Sequence, residues 1–264
     1  MPRVRLDQLL TERGLARSRA EAQSLILAGE VELDGTRRLK PGQLVSSDAQ
    51  PTVLQRPRWA SRAGAKLEHA LDAFGIEPTG MAALDAGAST GGFTDVLLAR
   101  GARIVYAVDV GRAQLVDRLR RDPRVVSMER TNLRDLRELP ERMNVTTLDL
   151  SFIGLALVLP AVRELLATDG EVVALVKPQF EAGKDDVPRG GVVRDPATHA
   201  RVLRQVITDA RRIGLEPKAV ERSPIAGADG NVEFLLHLVR GGEPTDLDAR
   251  VTELTDSAGS EERA

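Results

Sequence analysis

Cysteine is absent from the 264-residue sequence, and aromatic residues make up only 3% of it. Without cysteine the chain can form neither a disulfide framework nor a thiolate metal site, a composition that fits a reducing compartment. The scarcity of aromatic rings predicts a core of aliphatic side chains. The three histidines, His69, His199 and His237, are scattered, and no metal-ligand spacing joins them. We therefore expect no bound metal.

Long hydrophobic runs are also missing. The most apolar stretch extends from Ile153 to Val162 and contains Pro160, which makes it much shorter than the roughly 20 residues that span a bilayer. The first residues include Asp7 and no apolar core, so we expect no secretion signal. These features predict a soluble, cytoplasmic protein.

The charge is small overall but unevenly distributed. The net charge is −2, yet residues 1–62 carry eleven basic against seven acidic side chains, whereas residues 241–264 carry two against seven. A basic N-terminal region and an acidic C-terminal region favour a polyanionic partner that contacts the N-terminal side. Runs of charged residues more often form only a solvated protein surface.

The basic N-terminal region has the pattern of a small α+β module. A helix is predicted over residues 5–13, and a second over 19–27 with Ser18 and Glu21 forming a capping box. Val31 and Leu33 alternate with acids as in a strand, Asp34-Gly35 predicts a hairpin turn, and Leu44-Val45 predicts another strand.

This module has the sequence pattern R-L-D-Q-L-L-x-x-x-G-L-A-x-S-R-x-x-A-x-x-L-I-x-x-G-x-V-x-L-D-G. The pattern resembles that of the small RNA-binding domain named after ribosomal protein S-four. The resemblance covers Val4 to about Ser47. It implies that basic residues near the second helix and the hairpin contact structured RNA, which nominates Arg3, Arg5, Arg17, Arg19 and Lys40. We assign residues 1–48 to this domain and 49–62, with two prolines and no periodicity, to a linker. Trp59 is expected to pack the two domains together rather than stack on a base.

A glycine-rich stretch, L-D-A-G-A-S-T-G-G-F-T, occupies residues 84–94 and follows an apolar run. A strand, a glycine turn and a helix N-terminus in this order open many nucleotide-binding sheets. The spacing is neither G-x-G-x-x-G nor a phosphate loop, and an acid with a hydroxyl suits a ligand with a cationic centre, such as S-adenosylmethionine. A tight turn without a ligand is the alternative. The candidate cofactor residues here are Asp85, Gly87, Ser89, Gly91, Gly92 and Phe93.

The remainder alternates strands with helices, which predicts a parallel sheet covered on both faces. Strands are expected at 81–85, 103–109, 124–128, 145–149 and 171–176, with helices over 64–74 and near 92–100, 112–121, 133–139 and 154–167. A helix over 196–213 and two strands, 216–221 and 231–238, close the sheet. The fold class is α/β: a Rossmann-like, mostly parallel seven-stranded sheet of the S-adenosylmethionine-dependent methyltransferase type. Among the strand ends, Asp109 is expected to accept the ribose hydroxyls of the cofactor, and Asn132 to meet its adenine.

Four further residues, Lys66, Asp149, Lys177 and Glu233, resemble the lysine–aspartate–lysine–glutamate tetrad of FtsJ-type RNA ribose 2′-O-methyltransferases. With D-L-S-F-I, L-V-K-P-Q-F-E and G-N-V-E-F, residues 3–240 resemble the TlyA (haemolysin A) family. One departure is Ala63, where that family usually has glycine. The resemblance implies methylation of a cytidine ribose in ribosomal RNA by residues 63–240. Residues 241–264 have few apolar side chains and are expected to be disordered or weakly helical.

The resemblance also implies roles. Lys177 is predicted to be the general base or the group that orients the hydroxyl, with Asp149 steering it and with Lys66 and Glu233 positioning the ribose. Since chemistry on a ribose hydroxyl is hindered inside a packed helix, we expect the target base to leave its stack. Arg62, Lys184 and Arg189 are additional candidate RNA contacts.

Two other functions stay open at this point. The first is a non-catalytic RNA-binding protein on a methyltransferase scaffold, which the two lysines argue against. The second is a membrane-active haemolysin, which no visible amphipathic segment supports. The modified nucleotide, the ribosomal subunit and the oligomeric state do not follow from the sequence.

Overall fold

The computed structural model describes residues 3–16, 18–27, 30–36, 39–53, 58–112, 114–183, 186–227 and 230–256. The chain divides into two compact units, residues 1–57 and 58–264. Each unit has its own hydrophobic core. No helix within the described ranges is long and apolar enough to cross a membrane.

The N-terminal unit is built on two helices and two small sheets. Leu6, Leu9 and Leu10 from the first helix pack against Ala22 and Ile26 from the second, and the hydroxyl of Ser18 caps the second helix by accepting the Glu21 N–H at 3.2 Å. The elements are β1 (Arg3–Arg5), α1 (Leu6–Glu12), α2 (Arg19–Leu27), β2 (Val31–Glu32), β3 (Leu44–Ser46) and β4 (Thr52–Val53).

Strand β4 corrects the predicted boundary of this unit. Thr52 pairs with Glu32 and Val53 with Val31, so the first residues of the supposed linker 49–62 complete a sheet of the N-terminal unit. The linker was placed too early because a two-residue strand after Pro51 has no visible periodicity. Its predicted end is also shifted, since Trp59 packs into the core of the second unit; residues 54–57 lie outside the described residues.

The second unit contains a seven-stranded sheet in the order β10-β11-β9-β8-β5-β6-β7. Strands β5 to β9 are parallel, and β11 pairs antiparallel with both β9 and β10. This confirms the predicted mostly parallel sheet. The strands are β5 (Ala82–Ala86), β6 (Ile104–Val108), β7 (Val125–Met128), β8 (Met143–Leu148), β9 (Leu166–Val176), β10 (Leu215–Arg222) and β11 (Phe234–Arg240).

Helices cover both faces of this sheet around cores made largely of Leu, Val and Ala, as the composition predicts. They are α3 (Gly64–Phe74), α4 (Gly92–Ala99), α5 (Asp117–Arg120), α6 (Leu159–Leu165), α7 (Pro178–Glu181), α8 (Pro196–Arg212) and α9 (Asp248–Asp256). Three predicted helices are shorter than expected: 112–121 shrinks to α5, 133–139 to a 3-10 turn at Leu133–Asp135, and 154–167 breaks into a 3-10 turn at Leu155–Leu157 followed by α6.

The acidic tail is partly helical. Of the two expectations for residues 241–264, disorder or weak helix, the helix forms as α9, which buries Val251 and Leu254 in the core of the second unit. Asp248 at its start forms an ion pair of 2.6 Å with Arg204 on α8. The few apolar residues of the tail are spaced for one helix face, and this suffices because α8 offers a surface. Residues 257–264 lie outside the described residues.

Candidate active site

A cavity of about 460 Å³ opens at the carboxyl ends of β5, β6 and β8. Ligands of open parallel sheets bind at this edge because the loops there diverge and leave a crevice. Five of the predicted site residues line it: Gly87, Ser89, Asp109, Asn132 and Asp149.

Gly87 forms the floor of the cavity where β5 ends. Its φ is +84°, and a Cβ built there would lie 2.3 Å from the backbone oxygen of Asp149. A side chain is therefore excluded for two reasons, the left-handed backbone and the close approach of the neighbouring strand end. This glycine lets the β5 and β8 strand ends close into one smooth wall.

The carboxylate of Asp109, after the end of β6, accepts two backbone hydrogen bonds. One carboxylate oxygen accepts the Ser89 N–H at 2.8 Å, and the other accepts the Gly111 N–H at 2.7 Å. These bonds hold the glycine loop and the β6 end around the carboxylate, each of whose oxygens has a further lone pair. The Asn132 side chain accepts the Arg134 N–H at 3.1 Å, which leaves its amide hydrogens for a ligand. The Asp109 carboxylate, the Asn132 amide and the backbone at Gly87, which has no Cβ, fit a cofactor that contains adenosine.

The other predicted cofactor residues are not among the described residues that line the cavity. Phe93 is buried in the core. A Cβ at Gly91 would lie 2.4 Å from Leu119 Cδ1, and one at Gly92 would lie 2.2 Å from Ser61 Oγ. These two glycines make room for neighbouring side chains, and the assignment of Gly91, Gly92 and Phe93 to the cofactor stays a prediction.

Asp85 is fully buried, and its assignment to the cofactor stays a prediction. Its carboxylate accepts hydrogen bonds from the hydroxyls of Thr94 at 2.6 Å and Thr147 at 3.2 Å. Burial raises the pKa of Asp85 to about 6, because removing the carboxylate from water disfavours its charged form. Its role here is to tie β5 to α4 and β8.

The predicted tetrad forms two ion pairs. Lys177, at the end of β9, lies 2.6 Å from Asp149 Oδ1 and donates to the hydroxyl of Ser151 at 3.2 Å. Lys66 on α3 forms a buried ion pair with Glu233. All four residues are thus paired, and both lysines are almost entirely buried.

The register of the sheet relates the positions of the two pairs. Phe234 on β11 lies opposite Val176 on β9 as the last antiparallel pair of that ladder. Lys177 and Glu233 each lie one residue beyond this pair, at the same sheet edge, where opposed residues are about 5 Å apart. Gly227 packs against Glu233, since a Cβ there would lie 2.1 Å from Glu233 Oε1. The two ion pairs therefore lie at the same sheet edge, and one of them reaches the cavity through Asp149.

Two phenylalanines that are not among the predicted site residues lie near Lys177. Phe152 is 90% exposed and has a φ of +63°, which is rare for a bulky residue. Its ring lies 5.0 Å from that of Phe180, and the Phe180 ring centre is 5.8 Å from Lys177 Nζ. Both occur in quoted motifs, D-L-S-F-I and K-P-Q-F-E, but only the structure reveals the exposure.

Glu181, which follows Phe180 in the sequence, contacts the turn after Phe152. Its carboxylate accepts the Leu155 N–H at 2.9 Å and thereby holds the turn that follows Phe152. Burial, with a contribution from Asp209, raises the pKa of Glu181 to about 7.

The loop after α7 is attached to the strand end that carries Glu233. The Asn231 amide donates to the Gly191 carbonyl at 3.1 Å and accepts the Val193 N–H at 3.1 Å. The predicted RNA contact Arg189 is exposed in this loop, and Arg62 is exposed before α3. Lys184 lies outside the described residues.

In the N-terminal unit, the structure leaves Arg3, Arg19 and Lys40 exposed and Arg5 partly exposed. Arg3 donates to the Leu44 carbonyl at 3.1 Å, and Arg17 lies outside the described residues. All four described residues thus stay candidates for RNA contacts.

Comparison with known proteins defines first the class and then the family. A structure from Listeria monocytogenes described as an S-adenosylmethionine-dependent methyltransferase aligns with 69% of this chain and 99% of that chain, with a TM-score of 0.53 at 18% identity, which shows a shared fold. The FtsJ-like methyltransferase family matches residues 59–240, and the S4 domain matches residues 4–50.

Two relatives resemble nearly the whole chain. The 16S/23S rRNA (cytidine-2′-O)-methyltransferase TlyA of Mycobacterium tuberculosis is 50% identical over 89% of this chain and 90% of its own length. A Streptococcus thermophilus structure described provisionally as a hemolysin is 41% identical, with a TM-score of 0.78 over 100% of this chain and 98% of that one. The chain belongs to the FtsJ-like methyltransferase family and begins with an S4 domain.

Proposed function

We propose that the protein transfers a methyl group from S-adenosylmethionine to the 2′-hydroxyl of a cytidine in ribosomal RNA. The observation that carries this proposal is the presence of two buried lysine–acid pairs at one sheet edge, one of which reaches the cavity through Asp149. The activity of the M. tuberculosis relative supports the substrate, and the S4 domain supports ribosomal RNA as the partner. An enzyme of this kind works where ribosomes are, in the cytoplasm.

The cofactor belongs in the cavity. Gly87 and Ser89 lie at its floor, Asp109 offers carboxylate oxygens to ribose hydroxyls, and Asn132 offers its amide to an adenine. When bound, S-adenosylmethionine supplies an electrophilic methyl group. The chain's own contribution is then to bring the hydroxyl of the RNA to this place and to manage its proton.

Lys177 is proposed to orient that hydroxyl as an ammonium group. Once its own proton has been lost to solvent, it accepts the hydroxyl proton as a neutral amine, since an ammonium group has no acceptor. A ribose hydroxyl is a weak acid, so its proton must leave as the oxygen attacks, and a positioned side chain speeds such a step about 10²- to 10⁴-fold. Asp149 and Ser151 fix the Lys177 amine at the end of β9. Its near-complete burial removes competing water.

Lys66 and Glu233 are proposed to orient the ribose. Glu233 is an acceptor for a sugar hydroxyl, and Lys66 holds its carboxylate in place through their ion pair. Alignment of the attacking oxygen with the methyl group contributes much of the rate in reactions of this type. Fixed ion pairs provide that alignment without reorganisation.

Phe152 is proposed to receive the target base. An aromatic ring that is 90% exposed near Lys177 offers a stacking surface to a nucleotide that has left its helix. Its left-handed backbone stores strain, which is commonly found at functional sites. Glu181 keeps the following turn in place.

The proposal is tested by mapping 2′-O-methylated nucleotides in ribosomal RNA from cells with and without the gene. We expect at least one methylated cytidine that disappears with the gene and returns with the wild-type chain but not with Lys177→Ala. An unchanged methylation map would contradict the proposal. Binding of S-adenosylmethionine and ribosomal RNA without transfer would instead identify a non-catalytic RNA-binding protein.

A further inference from the structure

Asp7 is a fully buried carboxylate in the small N-terminal unit. It accepts two hydrogen bonds from Arg5, from Nε at 3.0 Å and from a terminal nitrogen at 2.8 Å. Arg19 Nε donates to it at 3.2 Å, and the Gln23 amide donates at 2.8 Å. These donors hold the pKa of Asp7 well below its usual range, with the Arg5 hydrogen bond as the largest cause.

The cations around this acid face outward. The side chain of Arg5 is 41% exposed and that of Arg19 is 56% exposed, whereas that of Asp7 is 0% exposed. Two guanidinium groups on one carboxylate leave one net positive charge at the surface. Arg5 also packs over Gly42, where a Cβ would lie 3.0 Å from its guanidinium nitrogen. The cluster is therefore a built arrangement with a single acid at its base.

We propose that Asp7 is a positioning residue that holds Arg5 and Arg19 as a preformed pair for neighbouring phosphates of ribosomal RNA. The proposal rests on the RNA-binding role given above to the N-terminal unit. A free arginine loses side-chain entropy when it binds a phosphate, and a side chain already held in place loses less. Because Arg19 uses only Nε in its bond to Asp7, the geometry permits its terminal nitrogens to make a phosphate contact.

The test uses Asp7→Asn, for which two explanations predict opposite changes in affinity for RNA. Asp7→Asn removes a negative charge next to a polyanion site, so charge alone predicts tighter RNA binding. Positioning predicts weaker binding, because an amide has one acceptor oxygen and cannot hold three donor side chains. Asp34→Asn is the matched control: it removes one negative charge from the same unit at an exposed turn whose φ of +51° suits asparagine.

Affinity of the full-length protein for ribosomal RNA, extracted from cells lacking the gene, is measured at several salt concentrations. We expect Asp7→Asn to weaken binding about 10-fold and to reduce the slope of log K against log salt by about 1 to 2, because ordered phosphate contacts are lost. Asp34→Asn should bind equally well or slightly more tightly. Equal or tighter binding by Asp7→Asn would overturn the proposal.

A second variant separates positioning from a folding defect. Arg5→Lys keeps the charge but loses the two-point contact with Asp7, whereas Arg13→Lys changes an exposed arginine that bonds Gln50 and the Ser47 carbonyl. Positioning predicts that Arg5→Lys weakens RNA binding about 5-fold more than Arg13→Lys does. Equal effects of the two substitutions would overturn the proposal.

Arg19→Ala distinguishes failure of this proposal from failure of the RNA-binding role. If Asp7→Asn, Arg5→Lys and Arg19→Ala all leave RNA affinity unchanged, the N-terminal unit does not bind RNA through this surface. If only Arg19→Ala weakens binding, the unit binds RNA but Asp7 does not position the arginines.

Discussion

The two units use the same kinds of charge in opposite ways. In the N-terminal unit one buried acid, Asp7, carries two arginines whose ends reach solvent. In the second unit each buried lysine has an acid of its own, Lys66 with Glu233 and Lys177 with Asp149. The first arrangement leaves positive charge on the surface, whereas the second neutralises it inside the molecule.

This difference corresponds to two tasks. Attraction of a polyanion requires uncompensated positive charge that water and phosphate can reach. Proton transfer from a hydroxyl requires a neutral amine held at one place in a dry environment, and the ammonium form that precedes and follows this step must be paired because an isolated buried charge is costly. On the proposed roles, the ratio of cations to acids, more than their number, distinguishes the RNA-binding surface from the reaction centre.

The largest expected effect is on the reaction centre. Lys177→Ala should lower the rate of methyl transfer to ribosomal RNA about 10³-fold, while the dissociation constant for S-adenosylmethionine changes less than about two-fold. Lys218→Ala is the control, because this lysine lies on β10 and bonds the Glu243 carbonyl outside the cavity. Radiolabel transfer and calorimetry measure the two quantities. A Lys177→Ala protein that retains its rate would exclude Lys177 as the base.

The second prediction compares a buried with an exposed ion pair. Glu233→Gln leaves the Lys66 charge buried without its partner and should lower the free energy of unfolding by about 4 kcal/mol. Glu141→Gln breaks the exposed pair with Arg103 and should cost far less, because water screens an exposed ion pair. Denaturant unfolding measures both. Equal losses would mean that the Lys66–Glu233 pair behaves as a surface pair.

The third prediction concerns Asp85, an acid held by two hydroxyls. Its pKa is about 6 in the folded protein and about 3.9 in an unfolded chain. Between these values the folded state binds more protons, so stability falls as pH rises from about 4 to 6 and then levels off. Asp85→Asn should remove about 3 kcal/mol of this fall, since each of the roughly two pKa units corresponds to about 1.4 kcal/mol. Unfolding curves at several pH values test it, and a fall of unchanged size would refute the assignment to Asp85.

The smallest effect is expected at the exposed aromatic ring. Phe152→Ala should raise the KM for ribosomal RNA about 10-fold, because stacking on a base contributes roughly 1 to 3 kcal/mol. Leu157→Ala removes another exposed apolar side chain nearby in sequence, 55% exposed, and should leave KM unchanged. Steady-state kinetics with varied RNA gives the comparison. The stacking role would be wrong if both variants behaved alike.

Local patterns predicted much of this fold. The helix over 64–74 has the predicted bounds, and the glycine stretch does join β5 to α4. These patterns were wrong or left alternatives open where distant partners decide the structure. Strand β4 exists because β2 is available to pair with it, and α9 exists because α8 offers a face.

The candidate site was only partly predictable for the same reason. Asp109 and Gly87 follow from their places at strand ends. The pairing of Lys66 with Glu233 joins residues 167 positions apart, and only the family resemblance suggested it in advance. The glycine-rich turn does not reveal which of its residues face the cavity, and the structure places Phe93 in the core instead.

The most direct test of the division between the two units is single-turnover methyl transfer at saturating S-adenosylmethionine, with the ribosomal RNA concentration varied. The account predicts that Lys177→Ala lowers the maximal rate without shifting the half-saturating RNA concentration. Arg19→Ala should shift that concentration upward and leave the maximal rate unchanged. If both variants altered the same parameter, the assignment of binding to the outward-facing arginines and of chemistry to the buried lysine–acid pairs would be contradicted.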